Sequence, residues 1–339
     1  MKKGNPDPVL DWLLYTASPG VRYLALRDLV GLPANDRELI SAKKAAHKEG
    51  PIAAILAEMH PDGYWSKPGT GYNPKYFSGV WSLILLSQVG AMVTLDERIR
   101  LACDSFLEKS MTRSGQFTTS GGPGGTIDCL QGNMCAALVR LGCDPERLVP
   151  AYEWMARTVT GEGMAEQGDK EDPRRYYAYK CGPLFACGIN NQKPCAWGAT
   201  KVMLAFSAWQ VERRTPLIKR AIRQGAEFLL DSDPARAEYP TWNDTKPNRS
   251  WWKFSFPVFY VTDILQILEA LVALGYGNDP RLANALDLVR KKADEQGRWS
   301  LEYTYNGKTW VDFGTKNQPN PWVTLRALRV LQAVGGGEV

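Results

Sequence analysis

Seven cysteines, Cys103, Cys129, Cys135, Cys143, Cys181, Cys187 and Cys195, all fall between positions 103 and 195 of a 339-residue chain. Three of them share one Gly- and Pro-containing stretch, Lys180-Cys181-Gly182-Pro183-Leu184-Phe185-Ala186-Cys187-Gly188-Ile189-Asn190-Asn191-Gln192-Lys193-Pro194-Cys195. Thiolates gathered in this way are what zinc selects, in a tetrahedral set. The expected ligands are Cys129, Cys187 and Cys195, with Cys181 as the fourth. Three thiolates would leave a position open for water or substrate, whereas four would close the site into a structural one. The competing reading is that free cysteines are small buried hydrophobes. It accounts well for Cys103, Cys135 and Cys143, and badly for three cysteines in one loop. The spacing itself matches no established zinc signature.

Histidine is limited to His47 and His60, which weakens triad and His-metal chemistry and leaves carboxylates as the other source of catalysis. Asp62, Asp263, Glu302 and Asp312 are the candidates, each near a loop dense in aromatics. Asp263 also fits a helix cap, where a carboxylate accepts a free backbone N–H. Trp242, Trp251, Trp252, Phe256 and Tyr260 crowd one stretch, and Tyr303, Trp310 and Trp322 follow it. These eight are the expected substrate-binding wall of a cavity, suited to isoprenoid-like chains or to sugars. Tyr176, Tyr177 and Tyr179 could form a cover over it.

The elements that must position these groups repeat along the chain. Segments 21–31, 79–90, 132–142, 197–209, 262–275 and 322–335 each read as an apolar helix, most of them ended by glycine. A helix apolar on most faces is a buried one. Second helices open on Asp144-Pro145, Asp279-Pro280 and Thr215-Pro216, where the first residue caps and proline occupies the first turn. The stretch Arg281–Lys292 is amphipathic, as an outer helix should be. Inner apolar helix, glycine stop and capped outer helix, repeated about six times, predict an all-α fold. The expected form is an α/α toroid, one domain spanning 1–339, with no sheet.

Composition restricts the partners. A net charge of +5 without a basic run gives no footprint for nucleic acid, and no apolar run reaches the length of a membrane span. The N-terminus, Met1-Lys2-Lys3-Gly4, lacks the apolar segment of a signal peptide. The expectation is therefore a cytoplasmic protein with a small-molecule or lipid-like ligand in its cavity, its oligomeric state open.

Several loops end in glycine followed by an aromatic: Asp62-Gly63-Tyr64-Trp65, Ser114-Gly115-Gln116-Phe117 and Gln296-Gly297-Arg298-Trp299. These resemble the repeats of the squalene cyclase and protein prenyltransferase superfamily. Cys129-Leu130-Gln131-Gly132-Asn133, Trp299-Ser300-Leu301-Glu302-Tyr303 and Asn320-Pro321-Trp322-Val323-Thr324-Leu325-Arg326 are similar to stretches in a bacterial prenyltransferase-like group. The resemblance implies a toroid with a cavity at the ends of the inner helices, and assigns no reaction. The Asp-x-Asp-Asp acid of the cyclases has no match in Asp231-Ser232-Asp233-Pro234 or Ile127-Asp128-Cys129. Asp128 and Cys129 echo two of the prenyltransferase zinc ligands, but the C-terminal half offers no histidine.

Three functions are compatible with this reading. The first is an enzyme with a thiolate zinc at the rim of an aromatic cavity, acting on a hydrophobic or isoprenoid-like substrate. The second is a metal-independent glycosidase using the carboxylates. The third is a lipid- or peptide-binding module with a structural metal.

Overall fold

The computed structural model describes residues 7–335 apart from Ala17, Gln167, Lys170, Pro173, Arg174, 177–179, Asp244 and Thr245. Its helices, in chain order, are α1 Pro8–Leu14, α2 Pro19–Asp28, α3 Arg37–Lys48, α4 Pro51–Ala57, α5 Gly79–Gln88, α6 Glu97–Ser110 and α7 Asp128–Leu141. They continue with α8 Val149–Thr160, α9 Ala196–Ala208, α10 Pro216–Leu230, α11 Ile264–Leu271, α12 Ala283–Lys291 and α13 Pro321–Gly335. The fold is all-α. One exception to the expected absence of sheet is a short antiparallel hairpin, β1 Ala186–Cys187 with β2 Lys193–Pro194. It forms because Asn191 and Gln192 adopt left-handed backbone conformations that turn the chain back on itself.

The helices sort into two sets by what their sequences must hide. In α5, every residue from Gly79 to Leu86 is buried, and in α9 burial is almost complete from Ala196 to Phe206. The helix α10 instead buries Ile218, Ala221, Ile222, Gly225, Ala226 and Leu229, one face at helical spacing. The buried set packs in a continuous order: α5 against α7, α7 against α9, α9 against α11, α11 against α13 and α13 against α2. The order returns on itself where Tyr23 and Leu24 of α2 lie against Gly90, just after α5. Outside this set, α3 covers α2, α6 covers α5, α8 covers α7, α10 covers α9 and α12 covers α11.

The expected start and stop signals operate as chemistry requires. Asp144 and Asp279 accept the backbone N–H two residues on, and Thr215 that of Ile218. Gly142 closes α7 in the left-handed conformation, which spares the steric cost of a Cβ there. A continuous apolar cluster runs through the molecule from Leu13 to Val330. Among the described residues no helix is long and apolar enough to cross a membrane.

The tightest contact in the buried set is between α7 and α9, made possible by Gly132. A Cβ at that position would lie 2.3 Å from the carbonyl carbon of Lys201. The obstacle is backbone, so the two helices would have to separate. Gly132→Ala is expected to lower stability by about 1–3 kcal/mol, the usual range for overpacking. Urea unfolding would read this as a lower midpoint, and an unchanged midpoint would show that the two helices are free to separate there.

Candidate functional site

The inner-helix starts gather sequence-distant groups at one end of the molecule. Asp128 opens α7, Cys129 follows it, and Cys195 is the N-cap residue of α9. Gly198 of α9 lies against the Asp128 side chain, so the two helix starts are neighbours. The loop between α8 and α9 delivers Cys181 and Cys187 to the same place. Cys181 donates its thiol proton to Asp128 Oδ1 at 2.7 Å. Asp128 Oδ2 is buried without a hydrogen-bond partner among the described residues. Burial pushes the Asp128 carboxyl up to about 8, against the lowering effect of the Cys181 hydrogen bond. Burial therefore favours its neutral form.

Cys129 and Cys187 each lie within electrostatic reach of both Cys181 and Cys195, so the structure brings together the set expected from the sequence. It does not arrange them around a point. Among the described residues, no three His, Cys, Asp or Glu side chains are placed to hold one metal ion. Cys181 is engaged by Asp128, and burial drives Cys129 up to about 12. As placed, these residues do not fit a metal centre. Cys103, Cys135 and Cys143 are buried core residues.

The four candidate carboxylates have different surroundings. Asp263 is buried and caps α11 through the Gln266 N–H, while both its oxygens are held by Arg326 at 2.9 and 3.0 Å. Ser255 donates to it as well, so it is a structural anion and not a poised acid. Glu302 pairs with Lys292 at 2.6 Å and accepts the Phe254 N–H. Asp312 is exposed and accepts the Gly307 N–H, and Asp62 is exposed beside His60. None of the four lines the cavity described below.

The aromatic residues are mostly packed against one another, because large rings from adjoining loops satisfy each other at short range. Trp251 lies against Tyr239 and donates to the Pro234 carbonyl, and Trp252 donates to that of Ala235. Tyr260 joins Tyr72 and Trp81 in a plug that continues through Phe259, Tyr76 and Tyr305 to Tyr303. Trp310 donates to Ser82 Oγ. Trp322 stacks on Phe256 at 4.7 Å, and Trp242 stands 62% exposed. Of the eight expected wall residues, Phe256 alone lines the cavity. Tyr176 donates to the Thr158 carbonyl, while Tyr177 and Tyr179 lie outside the described residues.

The cavity itself lies towards the other ends of the inner helices and measures about 710 Å³. Its lining contradicts the expected aromatic character. Tyr23 and Phe256 are its only aromatics among the described residues, whereas Arg27, Lys43, Arg140, Arg326 and Arg329 face Asp28 and Glu269. The charges are unevenly matched. Arg326 is saturated by Asp263, Glu269 and the Ser255 carbonyl. Asp28 is shared between Arg27 and Arg329. Arg140 makes no hydrogen bond or ion pair with any described residue, and its guanidinium is open to the solvent of the cavity while protein surrounds it. Confinement lowers its affinity for a proton, and Glu269 partly restores it. The buried Asn133 adds an Nδ2 without a partner among the described residues.

Sequence reasoning missed these arginines, although a signal was present. Arg27, Arg140, Arg326 and Arg329 lie in helices that otherwise read as mostly apolar, and a charge in a buried helix needs either a partner or a cavity. Beneath the cavity, Lys201 is fully buried and donates to Gln266, which lines the cavity. Burial brings Lys201 down to about 7. The chain matches no protein-family model and no curated protein.

The raised carboxyl of Asp128 has a consequence for stability. Its carboxyl is raised in the folded chain from 3.8 to about 8. The stability it contributes is complete below the unfolded value and is lost as pH rises through the folded one. Asp128→Asn keeps the shape and removes the titration. The parent is expected to lose stability between pH 4 and pH 8 relative to this variant, by up to about 1.4 kcal/mol for every tenfold difference in proton affinity between the folded and unfolded chains. Chemical denaturation of both proteins across that range would show diverging curves, and parallel curves would mean that Asp128 is ionised in the fold.

Proposed function

We propose that the chain is an α/α toroid whose central cavity binds an acidic amphiphile, with a phosphate or carboxylate head and an apolar body. The cyclic order of the buried helices supports the toroid. The observation that carries the ligand class is Arg140, a guanidinium facing the cavity with no anionic partner in the described protein. Arginine presents a planar fork of donors that matches carboxylate and phosphate oxygens two at a time. Arg27, Arg329 and the free Asn133 amide surround the same space and add to its positive potential. Tyr23, Leu24, Ile84 and Val258 supply apolar wall for the body of the ligand. A volume of about 710 Å³ suits a small organic molecule.

Fatty acids and isoprenoid phosphates both belong to this class. Binding is favoured over a defined reaction, since none of Asp62, Asp263, Glu302 and Asp312 faces a ligand there. The zinc-dependent and glycosidase readings draw no comparable support from the geometry.

Isothermal titration with dodecanoate, farnesyl phosphate and an uncharged dodecyl detergent tests the proposal. One or both anions are expected to bind and the detergent to bind much more weakly. Arg140→Met should weaken anion binding roughly tenfold to a hundredfold, corresponding to a charge-assisted hydrogen bond. Equal binding of all three ligands, unaffected by the substitution, would remove the basis for an anion site. Which anion binds more tightly distinguishes a carboxylate from a phosphate head.

A further inference from the structure

We propose that the head of the cavity's ligand is a phosphate monoester dianion, held between Arg140 and Asn133 of α7 on one side and Arg329 of α13 on the other. This rests on the reading of the cavity as an anion site, and adds which anion the site is built to take.

The first observation is the stripe that α7 turns towards the cavity. Asn133, Ala136, Ala137 and Arg140 all line it, and offsets of three, four and seven residues put them on one face of the helix. Long side chains on a helix lean towards its N-terminus. The Arg140 side chain therefore extends over Ala137 and Ala136 towards Asn133, and the two alanine methyl groups leave that space open. Asn133 is only 4% exposed, and its Nδ2 has no partner among the described residues. A buried amide donor left unanswered is costly, and this one belongs to a residue on the cavity wall.

The facing wall supplies a further donor. In the cyclic order of the six buried helices, α7 and α13 stand three places apart, so they face each other across the cavity. With neighbouring axes about 8–10 Å apart, opposite axes in such a ring are about 16–20 Å apart, a span that two arginines and a head group between them can fill. Arg329 pairs with Asp28, and its Nε is buried without a partner among the described residues.

Charge and acceptor number then select the head. Arg27, Lys43, Arg140, Arg326 and Arg329 line the cavity against Asp28 and Glu269. Asp263 answers Arg326 from outside the lining. Five cations against three carboxylates leave two positive charges in excess. A carboxylate head cancels one of them, whereas a phosphate monoester carries about −1.5 to −2 at neutral pH. Both oxygens of a carboxylate are taken by a single guanidinium fork, which would leave Asn133 and the Arg329 Nε unanswered. The three terminal oxygens of a phosphate suffice for all of these donors.

Isothermal titration at neutral pH with decyl phosphate, decyl sulfate and decanoate tests the assignment, because the three share one chain and differ in the charge and shape of the head. Decyl phosphate is expected to bind roughly tenfold or more tightly than either monoanion. Asn133→Ala should remove most of that advantage and leave the affinity for decanoate nearly unchanged. Equal affinities for all three would overturn the phosphate assignment and leave the anion site standing. Sulfate matching phosphate would overturn it too, since a tetrahedral head with one charge would then suffice. Failure of all three to bind would overturn the assignment and the anion site together. The comparison of heads on the parent protein decides the matter, so the test does not depend on the variant folding.

Discussion

The guanidinium of Arg326 lies between two carboxylates, Asp263 and Glu269, and α11 and α13 are held together through it. Asp263 is committed three ways at once, to Arg326 of α13, to the N-terminus of α11 and to the loop at Ser255. A buried ion pair adds little net stability compared with an apolar pair of the same shape. Removing one partner, in contrast, leaves an uncompensated charge that costs about 3–5 kcal/mol. The arrangement therefore fixes how α11 and α13 meet more than it strengthens the contact. It also explains why Asp263 holds its proton below the usual carboxylate range, where it has no role as an acid at neutral pH.

Around that contact the molecule separates two environments. At the start of the inner helices, interlocked rings of Tyr72, Trp81, Phe259 and Tyr260 fill the available space. Beyond Gln266 the interior becomes a cationic cavity. Lys201 and Gln266 sit between the two, and their mutual hydrogen bond satisfies polar groups that burial would otherwise penalise. Cations exceed carboxylates on the cavity wall, and Arg140 forms no ion pair with a described residue. A site of that kind is stabilised by an anion supplied from outside.

The thiols show how surroundings decide what a cysteine can do. Asp128 and Cys181 satisfy each other in a fully buried place, and burial favours the neutral form of both. Cys187, a few residues away in sequence, is only half-buried, and its surroundings bring it down to about 6. The same residue type in one short loop is thus shifted in opposite directions, one sulfur being fully buried beside a carboxyl and the other half-exposed.

Much of the local structure was legible in the sequence. Apolar periodicity marked the buried helices, Asp144-Pro145 and Asp279-Pro280 marked helix starts, and Gly142 marked a stop, since each of these effects acts within one helical turn. The gathering of Cys129, Cys181, Cys187 and Cys195 also followed from the helix starts. What those groups face did not. Trp251, Trp252 and Tyr260 looked like a cavity wall because aromatic residues serve packing and ligand binding alike, and only tertiary contacts show which rings already fill each other's space. Asp263 read equally as a cap or an acid until Arg326, distant in sequence, was placed on it. Arg140 was one charge near the end of an apolar helix. Whether such a charge meets a carboxylate or an open cavity depends on six other helices, and on how closely Gly132 lets α7 and α9 approach. Local sequence therefore determined the helices and their ends, whereas long-range packing decided the character of the interior.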